Sequence, residues 1–434
     1  MFGYRFLRVI TAAALMISIS ICSGCSIASA DPFSDANQDT YDSEASGQQT
    51  ENIQEGNEKT GFAEGYSHVD FSELEPSSFL ASERDGSLLG QPGYCYGTLS
   101  EQEQVVYEEI FSVLTGLQND CKLSTTDSEL VKSVYHNVIA DHPEIFWAEG
   151  YRLNTTSRGD KVISLEFSMK EGMNREEIDG WQKVIAAYLQ KFLEESEEAG
   201  IADDSEDYDV IRFTFDYIVK NTEYQESAEN NQNICSVFGS GYSVCQGYSV
   251  AMQYLLLYQG VRSVTVSGVT KETQTSHAWN LVYGDGSWYY LDVTWGDPSY
   301  SESDGISSDM VNYAYFCVTD EEISKTHAAG GELVLPRCTD TKDNYFVREN
   351  CFFESWDEER FEDLLSERMQ EGETCMSIRM QNQELYQQVK HLLISRQTIF
   401  EYLENAASRA GINSSSKISY FENEDFCIIT FLFL

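Results

Sequence analysis

Three short runs hold residues whose types and order suit covalent catalysis. They are Ser243-Val244-Cys245-Gln246-Gly247-Tyr248-Ser249, then His277-Ala278-Trp279-Asn280, then Leu291-Asp292-Val293-Thr294-Trp295. An ionised thiol is a strong nucleophile. An imidazole takes and returns protons near neutral pH, and a carboxylate can hold that imidazole in one tautomer. A lone cysteine in an apolar helix is normally a small buried residue, and a lone histidine beside aromatics is normally structural. Together, in the order Cys…His…Asp, they fit a thiol triad: Cys245 as nucleophile, His277 as general base and acid, Asp292 as orienting carboxylate. The same trio offers ligands to zinc, but a closed zinc site takes a fourth and none is evident nearby. No metal and no other cofactor is expected.

This chemistry needs elements that bring the three together. Ser243 and Gln246 have capping-box spacing, so Ser243 is expected as a helix N-cap with Cys245 in the first turn. Unpaired backbone N–H groups and the positive dipole end there favour an anionic sulfur. The Cys245 N–H is also an expected oxyanion donor. Val250 to Leu257 is almost wholly apolar and Gly260 supplies the stop, so the helix is expected to be buried. Gly247 allows close approach of another backbone or of substrate. Two strand-like runs, 277–283 and 287–293, flank Asp285-Gly286, a two-residue hairpin signal. That turn sets Gly284 opposite Ser287 and Trp279 opposite Asp292. His277 shares the face of Trp279, so Asp292 falls diagonally from it, within side-chain reach. A slip of one residue would send Asp292 to the other face. Trp279, Trp288 and Trp295 read as core aromatics ahead of cleft walls.

The 434 residues carry 28 Lys+Arg against 72 Asp+Glu, a net charge of −44. That balance argues against nucleic acid and against an anionic membrane surface as electrostatic partners. Hydrophobic content of 41% and aromatic content of 13% suffice for a core, so wholesale disorder is excluded.

Residues 1–30 read as an export signal: Arg5 and Arg8, then an apolar run from Val9 to Ile21 too short to span a bilayer comfortably. Two processing sites compete. Ser23-Gly24-Cys25 resembles a bacterial lipobox with Cys25 as the lipid-carrying residue, and Ala28-Ser29-Ala30 is a small-x-small site for plain secretion. The lipoprotein reading is preferred. Residues 26–98, polar and acidic over Asp35–Lys59, are expected to form a flexible tether. Beyond Cys22 and Cys25 there are nine cysteines, eight once a nucleophile is set aside. Export permits disulfides, but pairing is not readable, and burial as small hydrophobes explains most of them equally well.

Order is expected from Leu99. Ser100 and Glu103 open a helix, Leu130 to Ile139 form a second that stops before Pro143, and Ile145–Leu153 and Lys161–Ser168 read as strands. Asn174 and Glu177 open a long helix, and 208–222 is another. Tyr313–Val318 reads as a strand. The tail reads helix, strand (Thr374–Met380), one long helix (Glu384–Ala407) and a hairpin (Lys417–Phe421 with Phe426–Phe433).

The three runs resemble, in order, the catalytic motifs of the transglutaminase-like superfamily, whose core is papain-like. The resemblance covers about 220–300. Upstream, Asp141-His142-Pro143-Glu144-Ile145-Phe146-Trp147 resembles a run found beside this core in exported proteins of anaerobic bacteria. The resemblance implies an α+β fold, a nucleophile helix packed on an antiparallel sheet, with additional N-terminal and C-terminal α/β segments. The expected divisions are 1–25, 26–98, 99–200, 201–350 as catalytic core, and 351–434. The implied function is an exported thiol-dependent hydrolase or peptidase acting on peptide or protein amides through a thioester. A protein-crosslinking transglutaminase and a non-catalytic surface-binding module are the alternatives. Expected partners are a peptide or protein substrate, with cell-envelope material as one source. Expected localisation is the bacterial cell surface, held by the lipid on Cys25, with secretion as the alternative.

Overall fold

Helix starts follow their capping residues. A short helix, α1 (Tyr94–Thr98), comes first. Ser100 then opens α2 (Glu101–Thr115) with both halves of a capping box, Asp127 caps α3 (Ser128–Asp141), and Asn174 caps α4 (Arg175–Glu198) by accepting from the Glu177 N–H. The chain continues through α5 (Asp207–Asn221) and α6 (Ile234–Gly239) to α7 (Cys245–Tyr258). The structure, a computed structural model, describes residues 8–11 and 87–433, except 120, 157–161, 203, 298–309, 332 and 413–416. Cys25 and most of the expected signal and tether lie outside the described residues. Arg8–Thr11, within the expected signal, forms a strand antiparallel to Lys417–Tyr420. No described helix is long and apolar enough to cross a membrane.

The chain divides into two compact units. One holds 87–294 with 327–338; the other holds 295–326 and 339–433 with the Arg8–Thr11 strand. The expected 99–200 segment thus shares a unit with 201–294 and 327–338 of the expected 201–350 core, whose residues 295–326 and 339–350 fall in the other unit.

The first unit contains a four-stranded antiparallel sheet, in the order His327–Ala329, Ser263–Thr270, Ser276–Gly284, Ser287–Leu291. It also has a three-stranded sheet of Cys121–Lys122, Val162–Met169 and Ala148–Thr156. α7 packs on the larger sheet, and its Tyr248, Ala251, Met252, Leu255 and Leu256 are wholly buried. Fully burying one such large apolar side chain is worth about 1.5–3 kcal/mol, so α7 forms the spine of this unit.

Residues 87–98, expected as the end of the tether, are folded into the first unit. The cause is a distant carboxylate. Asp141 accepts from the backbone N–H of Cys95 and of Tyr96, both at 2.9 Å, which ties α1 to the end of α3. Tyr107 donates its hydroxyl hydrogen to Asp141 Oδ2 at 2.9 Å. With that hydrogen spent, the Tyr107 oxygen accepts from His142 Nε2, also at 2.9 Å. His142 Nδ1 lies 2.7 Å from Glu144 Oε1, which also accepts from the Gly90 N–H at 3.1 Å. Asp141, His142 and Glu144 are each at most 3% exposed. Burial, with Asp141 adjacent, pushes the Tyr107 phenol well above its ordinary pKa. The upstream run is therefore a buried joint between the 87–98 segment and the helices α2 and α3.

In the second unit a five-stranded sheet runs Arg8–Thr11, Lys417–Asn423, Ile428–Phe433, Cys375–Met380, Phe352–Phe353, and the expected tail hairpin is present. Two expectations are corrected. Tyr313–Val318 is a turn, not a strand: the Phe316 N–H reaches the Tyr313 carbonyl at 3.1 Å, and Cys317 has a φ of 50°. Its aromatics pack ring on ring: Tyr315 and Phe316 are buried, and the half-buried Tyr313 stacks on Tyr345 at 3.7 Å. The expected long helix is two, Gln383–Lys390 and Ile399–Ala410, joined through a π turn at His391–Ser395 and a left-handed Gln397. The Thr398 hydroxyl donates back to the Leu392 carbonyl at 2.8 Å and holds the break. All nine described cysteines are free thiols.

Candidate active site

α7 begins at Cys245, the first helical residue. Ser243 is not its cap. The N-cap is Val244, which offers no side-chain acceptor. The Ser243 hydroxyl is engaged elsewhere, 2.7 Å from Ser236 Oγ and 3.3 Å from the Asn231 carbonyl. A tertiary contact has won over the local capping box, and no side chain caps the first turn around Cys245. Uncapped N–H groups there are free to meet an anion. Gly247 is required for a related reason: a Cβ on it would collide with Ser243 Oγ and would lie 2.8 Å from the Asn231 carbonyl. This is the close approach expected of it.

The hairpin has the register that Asp285-Gly286 dictates, Gly284 opposite Ser287 through Asn280 opposite Leu291. Asp285 and Gly286 take the positive φ values, 45° and 97°, of such a turn. The ladder ends at Leu291, and Asp292 follows it. Its Oδ2 lies 2.8 Å from His277 Nε2. Asp292 is wholly buried and His277 is 6% exposed. With Nε2 committed to Asp292, Nδ1 is the ring nitrogen left toward Cys245, which adds to the electrostatics of the imidazole. The structure thus joins His277 to Asp292, with Cys245 among the groups acting on the same ring.

Burial alone would depress the His277 pKa. The Asp292 charge and hydrogen bond, with a further contribution from Cys245, outweigh it and raise the value to about 10. Burial alone would raise that of Asp292, but the imidazoles of His277 and His327 hold it well below the usual carboxylate range. The site therefore favours an imidazolium beside a carboxylate.

His327 was not legible in the sequence. Its Nε2 lies 3.1 Å from the same Asp292 oxygen. It arrives on a three-residue strand beside Ser263–Thr270, with His327 opposite Thr270. No local motif marks it, and only the sheet order brings it in. His277, Asp292 and His327 present ligand atoms within 4.8 Å of one another, a trio that could face a cation. Here both Nε2 atoms sit at hydrogen-bond distance from a single carboxylate oxygen.

Two amides fix α7 against its surroundings. Asn280, on the histidine strand, donates to the Ser249 carbonyl at 2.9 Å. Gln253 donates to the Ala140 carbonyl at 2.7 Å and accepts from the Thr265 N–H at 3.1 Å and the Thr265 hydroxyl at 2.7 Å. α7 is thus pinned to α3 and to the sheet. Trp279 is a core aromatic, 1% exposed, stacked on His277 with centroids 6.1 Å apart and edge-on to His327 at 4.8 Å. Trp288 is partly exposed and meets Tyr94 edge-on at 4.8 Å. Trp295 is buried against Tyr315 in the second unit.

Residues 197–293 match the model of the transglutaminase-like superfamily. A mouse relative, kyphoscoliosis peptidase, is 30% identical over 82 residues, which is 17% of this chain and 12% of the relative. The chain therefore spans only a small part of that relative's length. A solved transglutaminase structure aligns at 16% identity and a TM-score of 0.24, covering 42% of this chain and 50% of that one. A Cytophaga hutchinsonii structure with a proposed cysteine protease assignment aligns at 13% identity and a TM-score of 0.21, covering 33% and 62%. At those scores the overlap is partial, and the assignment rests on the sequence match. The chain carries a transglutaminase-like superfamily domain within a mixed helix-and-sheet fold.

Proposed function

We propose that this protein is a thiol-dependent hydrolase of peptide or protein amides, with Cys245 as nucleophile, His277 as general acid and base, and Asp292 as the carboxylate that orients His277. One observation carries the reading. A buried carboxylate holds Nε2 of an imidazole whose electrostatics also respond to a thiol at the start of a helix. The Cys245 sulfur attacks the amide carbonyl carbon and a C–S bond forms. The carbonyl oxygen becomes anionic and is met by the Cys245 N–H. His277 Nδ1–H protonates the leaving amine as the C–N bond breaks. Water, deprotonated by His277, then attacks the thioester, releasing the acid and restoring the thiolate.

Transamidation differs only in the nucleophile that resolves the thioester: a primary amine gives a crosslink. The partition depends on access, not on the triad. The protein is proposed to act outside the cell, on envelope or extracellular peptides and proteins, tethered through lipid on Cys25.

The test is Cys245→Ala. Peptide-amide turnover is expected to fall by about 10⁴-fold or more, and iodoacetamide labelling at that position to vanish. Wild-type turnover in the variant would defeat the proposal. Incorporation of a labelled primary amine into protein, in preference to release of free amine, would move the assignment to crosslinking.

A further inference from the structure

Asp292 serves two imidazoles through one oxygen. Its Oδ2 is 2.8 Å from His277 Nε2 and 3.1 Å from His327 Nε2, and neither imidazole nor carboxylate side chain is more than 4% exposed. An ionised carboxylate only accepts, so both histidines must present Nε2–H to it. A solvated carboxylate would find its second donor in water. Asp292 is wholly buried, and His327 provides that donor from a different strand.

From this geometry we infer that His327 is a positioning residue: an Nε2–H donor that fixes the Asp292 carboxylate and limits how strongly it draws on the His277 imidazolium. The inference rests on the proposed triad and assigns a fourth member acting through Asp292. The placement of His327 is built into the fold. Its strand pairs with Ser263–Thr270, and the Gly330 N–H closes on the Ser267 carbonyl at 2.9 Å. Gly268 makes the approach possible, because a Cβ there would strike the Ala328 carbonyl and the Trp279 ring. The Trp279 edge stands against His327 at 4.8 Å, and the two imidazole centroids are 5.3 Å apart. Packing therefore limits the ring positions from which Nε2 can reach Asp292.

The sign of the effect follows from the shared oxygen. The titratable groups acting on His277 are Asp292 and Cys245, with His327 behind the carboxylate. Removing the His327 N–H leaves Asp292 more basic and less constrained. His277 then holds its proton to higher pH, while the imidazole is oriented less well toward Cys245.

The experiment uses the full chain, with iodoacetamide as probe of Cys245 and imidazole NMR titration as readout. In the wild-type protein, the ring nitrogen shifts of His327 are expected to show the Nε2–H tautomer; an Nδ1–H tautomer would overturn the inference without any variant. In His327→Phe, the His277 midpoint is expected to move up, and Cys245 labelling near neutral pH to slow by about ten- to a hundredfold. His327→Asn, which keeps an N–H donor, is expected to recover much of both. An unchanged His277 midpoint and labelling rate in folded His327→Phe would overturn the assignment. Failure of the triad itself reads differently, as labelling or turnover that survives Cys245→Ala.

Discussion

Two carboxylates buried in the same unit, Asp292 and Glu144, each hold an imidazole, and the two imidazoles differ in what else acts on them. His277 and Asp292 meet at 2.8 Å; His142 and Glu144 meet at 2.7 Å. Both imidazoles are nearly or wholly shielded from solvent. The difference lies at the other ring nitrogen. For that of His277 the candidate partner is a sulfur at the start of a helix, where an anion is welcome. That of His142 faces the Tyr107 hydroxyl, whose hydrogen is already given to Asp141. The first arrangement can move a proton to or from a reacting group. The second is closed on every side and holds helices together. A buried histidine–carboxylate pair is thus no evidence of catalysis by itself; the third partner decides.

Three substitutions probe this contrast. Asp292→Asn is expected to have the largest effect, lowering kcat by about 10⁴-fold through loss of the correct tautomer and charge. It should also lower the alkaline limb of the pH profile, which in the wild-type protein is expected near the His277 value of about 10. The stability sign is fixed by that shift. Because the folded-state value lies above the ordinary histidine value, the stabilisation is full below about 6.5 and is lost as pH rises through about 10. A pH titration of unfolding free energy in both proteins checks this. Glu144→Gln is expected to cost about 1–3 kcal/mol of stability in chemical denaturation, with the iodoacetamide reactivity of Cys245 unchanged in the folded protein. Loss of that reactivity in a folded Glu144→Gln variant would erase the distinction between the two pairs. Tyr107→Phe should be mildest, about 1 kcal/mol, with retained labelling; protease sensitivity confined to residues 87–98 would show that the joint secures that segment.

Local chemistry made much of this fold legible. Ser100 with Glu103, Asn174 with Glu177, and Asp285-Gly286 each act over a few residues, and each set its helix or hairpin register as expected. The His277–Asp292 pair followed because a two-residue turn fixes every opposite pair that follows it. What escaped is non-local. Ser243 has the spacing of a cap, yet its hydroxyl is taken by Ser236 and Asn231. Residues 87–98 look like tether until the Asp141 carboxylate is placed on Cys95 and Tyr96. His327 follows Asp292 by 35 residues and has no motif around it. Tyr313–Val318 alternates like a strand, but its aromatics pack ring on ring rather than in a neighbouring ladder.

The double commitment of Gln253 has a mechanical consequence. An amide that grips α3 with its nitrogen and the sheet with its oxygen acts as a key in a slot. Any screw motion of the helix that bears the sulfur would shear both grips at once. The place of Cys245 relative to α3 and the histidine strand is therefore set by packing rather than left to the helix.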